Sequence, residues 1–161
     1  MTSVAAMQPF QTFLDEHRAG VLAFLRAMVG PDAAEDCFQE TFIAALRHYD
    51  ELDADNPRAW LLRVARNKAI DHFRLRARSP VPTEKLDEIP APSEPDDDPE
   101  LWRRVAALPE KQRAAVALRF VSDLRFKDVG AAMETSEEAA RRNVHEGLKR
   151  LLAEIESEER G

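Results

Sequence analysis

Residues Phe126 to Ile155 read FKDVGAAMETSEEAARRNVHEGLKRLLAEI. A short helical pattern, Phe126 to Met133, meets a break at Glu134-Thr135-Ser136. A longer run follows, in which Ala140, Val144, Leu148, Leu151 and Ile155 recur at the three- and four-residue spacing of a helix face. Thr135 and Glu138 stand at capping-box spacing, where each side chain satisfies an orphan backbone amide of the new helix. A short helix, a tight turn and a longer helix have the proportions of a helix-turn-helix, whose second helix enters the major groove. Starting from Ser136, the outward stripe of that helix is Glu138, Arg141, Arg142, His145 and Lys149. Arginine engages guanine bidentately and glutamate accepts from cytosine N4, so this stripe has the chemistry to read bases as well as to hold phosphates. The competing reading is a small helical bundle with an ordinary charged exterior.

Upstream, helical periodicity continues in separate blocks. Proline at 99 and at 109 opens two more helices, carrying Leu101, Val105 and Leu108, then Val116, Leu118 and Val121. Before them lies 79–100, which holds six of the ten prolines and eight acidic side chains without a helical apolar stripe, the composition of a linker. Before the linker, Asn56-Pro57 reads as an N-cap followed by proline at N1 and opens a helix to about Arg78 with Leu62, Ala65, Ala69 and Phe73 inward. Gly30-Pro31 separates two earlier helices. The first, from Pro9, has Phe10, Phe13, Leu14, His17, Val21, Leu25 and Met28 on one face. The second buries Ala34, Cys37, Phe38, Thr41, Phe42, Ala45 and Tyr49 and has Asp32, Glu35 and Asp36 near its start, where the helix dipole favours anions. The expected fold is all-α: two small helical domains, 1–78 and 101–161, joined by the acidic proline-rich linker 79–100.

Composition supports this. The chain has 161 residues with only five glycines, and its Ala, Leu, Arg and Glu lose little side-chain freedom on a helix. A single cysteine, Cys37, forms no internal disulfide and reads as a small buried apolar residue. No Cys/His cluster, glycine-rich phosphate loop or Ser/His/Asp constellation is apparent, so neither an enzyme nor a cofactor or metal is expected. The sequence lacks a leader pattern and any apolar run of about 20 residues, so a cytoplasmic protein without membrane insertion is expected.

The net charge of -7 is segregated. Residues 1–57 carry three basic and ten acidic side chains, and 79–100 one and eight, whereas 58–78 carry seven basic and one acidic. The basic block coincides with the third helix. There Trp60, Arg63, Asn67, Arg74 and Arg78 fall near one azimuth, a set able to hold phosphates and hydrogen-bond or stack on unpaired bases. A lone tryptophan near a helix start is more often a packing residue, and Trp60 is assigned to packing and the arginines to DNA. On the second helix, Asp36, Gln39, Glu40, Ile43 and Arg47 form an exposed face, an isoleucine ringed by polar groups that fits a protein-docking spot.

Three stretches in order carry a family resemblance. Asp32 to Asp53, DAAEDCFQETFIAALRHYDELD, resembles sigma region 2.2. Asn56 to Arg78, NPRAWLLRVARNKAIDHFRLRAR, resembles regions 2.3 and 2.4. Leu108 to Leu152, opening LPEKQRAAVALRFVSDL and closing TSEEAARRNVHEGLKRLL, resembles region 4. The chain thus resembles the extracytoplasmic-function sigma factors of bacterial RNA polymerase. The resemblance implies that Asp36, Gln39 and Glu40 meet the clamp helices of the polymerase beta-prime subunit and that region 4 meets the beta flap. It implies that Asn56, Asn67, Asp71 and Arg74 take part in opening and reading the -10 element of promoter DNA as a single strand, with the loop Leu52 to Pro57 as a pocket for an extruded base. It implies that the last helix reads the -35 duplex, and that an anti-sigma factor is a partner. Asn143 and Glu146 stand where the family often has basic residues, a departure that bears on single base and phosphate contacts. The other readings are a stand-alone helix-turn-helix regulator, which would bind intact duplex tightly as a dimer, and an adaptor using only the Asp36 to Arg47 face.

Overall fold

The computed structural model describes residues 9–52, 55–78 and 99–160. Seven helices follow in order: α1 Phe10–Val29, α2 Pro31–Arg47, α3 Pro57–Arg78, α4 Pro99–Ala106, α5 Glu110–Phe120, α6 Phe126–Met133 and α7 Glu137–Arg160, with a 3-10 turn at Tyr49–Glu51. No strand occurs among the described residues. Residues 79–98, nearly all of the stretch read as linker, lie outside the described residues. Pro99 and Glu100, its last two, already belong to α4.

Local chemistry explains the breaks. Gly30 has φ +86°, a backbone that side chains rarely adopt, and its N–H returns to the Arg26 carbonyl at 3.0 Å. The chain can then restart at Pro31, whose missing N–H is one of the orphans of a helix N-terminus. The Asn56 side-chain oxygen accepts from the Ala59 amide at 3.3 Å and caps α3 as its sequence predicts.

The turn between α6 and α7 corrects one expectation. Glu134 is left-handed at φ 58°, and the Thr135 amide bonds back to the Gly130 carbonyl at 2.9 Å. Thr135 is therefore engaged in closing α6, and the cap of α7 is one residue later: the Ser136 hydroxyl accepts from the Ala139 amide at 3.0 Å. Gly130 makes the turn possible, because a Cβ there would lie 2.9 Å from the Thr135 carbonyl oxygen.

α1, α2 and α3 bury Phe13, Val21, Phe24, Leu25, Met28, Leu61, Leu62 and the alanine faces between them. Each large side chain stabilises by about 1.5–3 kcal/mol. The Phe10 and Phe13 rings flank Tyr49 at 5.2 and 5.4 Å, which ties the 3-10 turn to α1. In the other half, α5 is buried along Ala114–Leu118. A helix hidden on so many sides needs neighbours on both flanks, and α5 has them in α7 and α1. The two halves accordingly share one buried cluster, running from Phe13 and Phe24 to Leu118, Leu124, Val129 and Met133. A smaller cluster, Val105, Leu108, Val116 and Leu151, sits under Trp102. Leu148 was expected inside α7 but is 41% exposed. Gly147 takes the inward position instead, against Gln112 and Val116, where the backbones approach too closely for a side chain.

Candidate functional site

Three helix faces carry the candidate residues. On α2, Asp36, Gln39, Glu40, Ile43 and Arg47 are all exposed, opposite buried Cys37, Phe38, Thr41 and Phe42. The expected face exists, and it is more apolar than expected, since Leu46 is 57% exposed beside Ile43 at 52%. Leu46 follows from the same helical phase as Ile43 and Arg47 and could have been read from it. Behind this face the Cys37 thiol is pushed up to about 11 by burial, helped by Glu40 and Asp36. It stays protonated and unreactive. His72 of α3 has a pKa lowered by burial and by Arg76, with Glu40 and Asp36 opposing the shift.

α3 is gripped by α1 and α2 on one side and by α6 on another, which leaves only a strip of it free. Asn67, Asp71 and Arg74 lie exposed on that strip. Trp60, placed by phase near the same azimuth, is 7% exposed and belongs to the core, in keeping with its assignment to packing. Asn56 and Arg63 are engaged by the other half: the Asn56 amide nitrogen donates to Asp128 Oδ1 at 2.7 Å, and Arg63 lies 3.9 Å from Glu134 Oε1. Arg78 ends the helix, and its side chain lies outside the described residues, as do residues 53 and 54 of the Leu52 to Pro57 loop. Sequence reasoning missed Arg66, which is 7% exposed and donates from Nε and Nη2 to the two Glu110 carboxylate oxygens at 3.1 and 2.9 Å.

α7 presents Ser136, Glu138, Arg141, Arg142, His145 and Lys149, all exposed, with Ser136 as cap. Arg141 is held in place: Glu137 accepts from it at 2.8 Å, and its guanidinium lies 4.5 Å from the Phe126 ring centre. Glu138, Arg142, His145 and Lys149 make no hydrogen bond or ion pair among the described residues. Glu146 is exposed and Asn143 half-buried, which turns Asn143 partly away from the outward stripe. Beside Arg141, residues Arg125, Phe126 and Lys127 line an open basic cleft with Glu137. Arg125 and Lys127 were missed, although cations flanking the first aromatic of the motif were there to be read. No described helix is long and apolar enough to cross a membrane, and no group of three or more potential metal-ligating side chains occurs among the described residues.

Comparison with known proteins places this chain in a family. The Sigma-70 region 2 family matches residues 13–79, and the Sigma-70 region 4 family matches 99–151. The ECF RNA polymerase sigma factor SigF of Caulobacter vibrioides is 38% identical over 133 residues, spanning 80% of this chain and 74% of its own. The RNA polymerase sigma factor CarQ of Myxococcus xanthus is 34% identical over 166 residues, covering 95% and 94% of the two chains. The chain belongs to the extracytoplasmic-function sigma factors of the sigma-70 family. In this sigma factor, region 2 comprises α1 to α3, and region 4 comprises α4 to most of α7. Its function is that of the family: it binds RNA polymerase and directs promoter-specific transcription. A stand-alone regulator is not favoured. The fold is shared with the sigma factor RpoE of Bartonella quintana, solved in complex with the anti-sigma factor NepR (TM-score 0.79, 24% identity, 91% of this chain and 96% of that one). It is shared also with CnrH, solved with the cytosolic domain of CnrY (TM-score 0.70, 21% identity, 92% and 88%).

Proposed function

We propose a division of labour among the three faces. Asp36, Gln39, Glu40, Ile43 and Arg47 on α2 dock on the beta-prime clamp helices of core polymerase. Asn56, Arg63, Asn67, Asp71, Arg74 and Arg78 on and before α3 capture the melted -10 strand. Ser136, Glu138, Arg141, Arg142, His145 and Lys149 on α7 read the -35 duplex. The observation that carries this reading is the stripe of α7, whose Arg142, His145 and Lys149 are exposed and make no hydrogen bond or ion pair among the described residues, at the position of a recognition helix. A cationic stripe without intramolecular partners keeps its donors for phosphates and base edges.

The chain acts by binding and positioning, not by catalysis. The domains are 1–78 and 101–161, with 79–100 as an acidic connection suited to a positively charged path on the polymerase. The protein works in the cytoplasm, where its polymerase and promoters are, and region 4 meets the beta flap. An anti-sigma factor that masks these faces is a natural partner, supported by the likeness in fold to the sigma factor RpoE, solved with the anti-sigma factor NepR. Melting costs about 1.4 kcal/mol per base-pair step, so captured bases must offset several steps within the holoenzyme, and the free chain opens duplex poorly.

The test is co-elution of the purified protein with core RNA polymerase. Wild type is expected to co-elute, and Asp36→Arg with Glu40→Arg to lose the association while keeping its helicity. Unchanged co-elution of the double variant removes α2 from the docking site. Absence of co-elution by a folded wild type, free of inhibitor, overturns the assignment of residues to polymerase.

A further inference from the structure

Arg141 and Arg142 are adjacent on α7 and both exposed, yet they are held differently. One residue is about 100° of helix rotation, so the two side chains leave the helix in different directions. Arg141 meets α6: its guanidinium carbon lies 4.5 Å from the centre of the Phe126 ring, and its Nη2 donates to Glu137 Oε2 at 2.8 Å. Arg142 makes no hydrogen bond or ion pair among the described residues. Phe126 can hold a neighbour because it is held itself. It is the first residue of α6, half-buried and packed against the main core cluster, and Arg119 of α5 lies 5.3 Å from the same ring. The turn that Gly130 and the left-handed Glu134 make sets the spacing of α6 from α7, and with it the spacing of ring from arginine. Arg125 and Lys127 border the same cleft. Their charges oppose the approach of a third cation, so the ring and Glu137 are what keep Arg141 there.

Stacking uses the face of a guanidinium, and its N–H donors point outward in the plane of the fork. Glu137 takes one of them, and the others are left in a direction that the ring fixes. A base edge is recognised by donors at set angles, and a donor already oriented loses less freedom on binding. A phosphate accepts from many directions, so an untethered arginine serves it as well. We propose that Phe126 is a positioning residue for Arg141: it fixes this guanidinium for a guanine of the -35 duplex, while Arg142, which has no such contact among the described residues, holds a phosphate. This rests on the assignment of α7 to that duplex. Specificity and affinity are thereby divided between two neighbouring residues of one type. The competing account of Phe126 is an aromatic that only closes the core at the start of α6, and loss of such a residue weakens binding to all sequences alike.

The experiment uses holoenzyme assembled from the full chain and core RNA polymerase, with a duplex pool of fully randomised sequence, several helical turns long, as probe. Selection by the wild type is expected to return an upstream element with a guanine column. Selectivity there is then the ratio of affinities for two duplexes that differ in that one base pair. Arg141→Ala is expected to lower the ratio roughly tenfold, and Phe126→Leu roughly threefold, the worth of an exposed cation–π pair. Phe126→Tyr, which keeps the ring, is expected to restore it. Neither change at Phe126 is expected to alter the dependence of affinity on salt. Arg142→Ala is expected to do the reverse, keeping the ratio and lowering the salt slope by about one. A ratio unmoved in Phe126→Leu, or lost equally in Phe126→Tyr, overturns the proposal, as does the absence of any guanine column that depends on Arg141. A loss of the ratio in Arg142→Ala as large as in Arg141→Ala overturns it too. Should Phe126→Leu lose helicity, side-chain NMR relaxation of the free wild type decides. The Arg141 Nε–H is expected to be restrained and the neighbouring Cδ protons shifted upfield by the ring, with Arg142 averaged; equal mobility of the two overturns the proposal. The two ideas fail differently. If Arg141→Ala lowers the ratio and Phe126→Leu does not, the positioning role is wrong and α7 remains the reader. If Arg141→Ala, Arg142→Ala and Lys149→Ala all leave selection and salt slope unchanged, α7 does not read DNA and the proposal falls with that assignment.

Discussion

The two helices proposed to face DNA, α3 and α7, are built on opposite plans. α3 is half-hidden: Asn56 is bonded to Asp128 of region 4, Arg63 lies 3.9 Å from Glu134, and Arg66 is buried beneath them. Among the described residues, the basic side chains of the α7 stripe are open, with only Arg141 tethered, and that by its own half of the molecule, through Glu137 and Phe126. The contrast teaches that exposure of a basic residue and its assignment to nucleic acid are separate matters. Charges on α3 bridge the two halves, whereas those of the α7 stripe make no bond to the other half among the described residues.

Stability measurements can break that contrast. Arg66→Ala is expected to cost about 3 kcal/mol in denaturant unfolding, because it leaves Glu110 partly buried without its partner. A loss under about 1 kcal/mol would mean that the pair is solvated in solution and that α3 is as open as α7. Gly130→Ala follows at about 2 kcal/mol, since the new Cβ meets backbone atoms of Thr135 and Ser136 that cannot swing aside. It is expected to abolish duplex binding through α7 while leaving polymerase co-elution through α2. Asn56→Ala removes both a cap and the bond to Asp128, and about 1 kcal/mol should go with it.

A smaller effect comes from pH. The pKa of His17 is lowered by burial, opposed by Glu16 and reinforced by Arg58, which itself reaches across to Ser122. A base whose folded pKa lies below its unfolded value binds fewer protons when folded, so stability is full above 6.5 and falls as pH drops below it. His72 acts in the same direction. Thermal unfolding followed from pH 7.5 to 5.5 is expected to show a shallow decline that flattens in His17→Asn. The smallest change is expected on α7: Arg142→Ala and Lys149→Ala should leave stability within about 0.5 kcal/mol while weakening promoter binding, measured by fluorescence anisotropy.

Much of this was legible in the sequence because the punctuation is local. Gly30-Pro31, Asn56-Pro57, Pro99 and Pro109 each mark a helix boundary through chemistry that acts within a turn. Periodicity likewise placed Ala34 to Ala45 inside and the Asp36 to Arg47 face outside. It failed where the choice lay between adjacent residues. Gly147 and Leu148 differ by one step of phase, and the apolar residue looks like the core position until the neighbouring helix is seen to need the space. Thr135 and Ser136 are equivalent caps by type, and only the left-handed Glu134 decides between them. The packing of the two halves was out of reach for a different reason. Arg66 and Glu110 are 44 residues apart, and an arginine in a basic helix has the same local signature whether it ends in solvent or in a carboxylate.

Glu134 also sits where two requirements disagree. Its left-handed backbone at the end of α6 is a position that glycine occupies without strain, and glycine there would tighten the turn that aims α7. Its carboxylate is what faces Arg63 across the boundary. The relaxed turn and the carboxylate opposite Arg63 therefore call for different residues at one site. Glycine at residue 134 would relax the backbone and remove the carboxylate facing Arg63 in a single step.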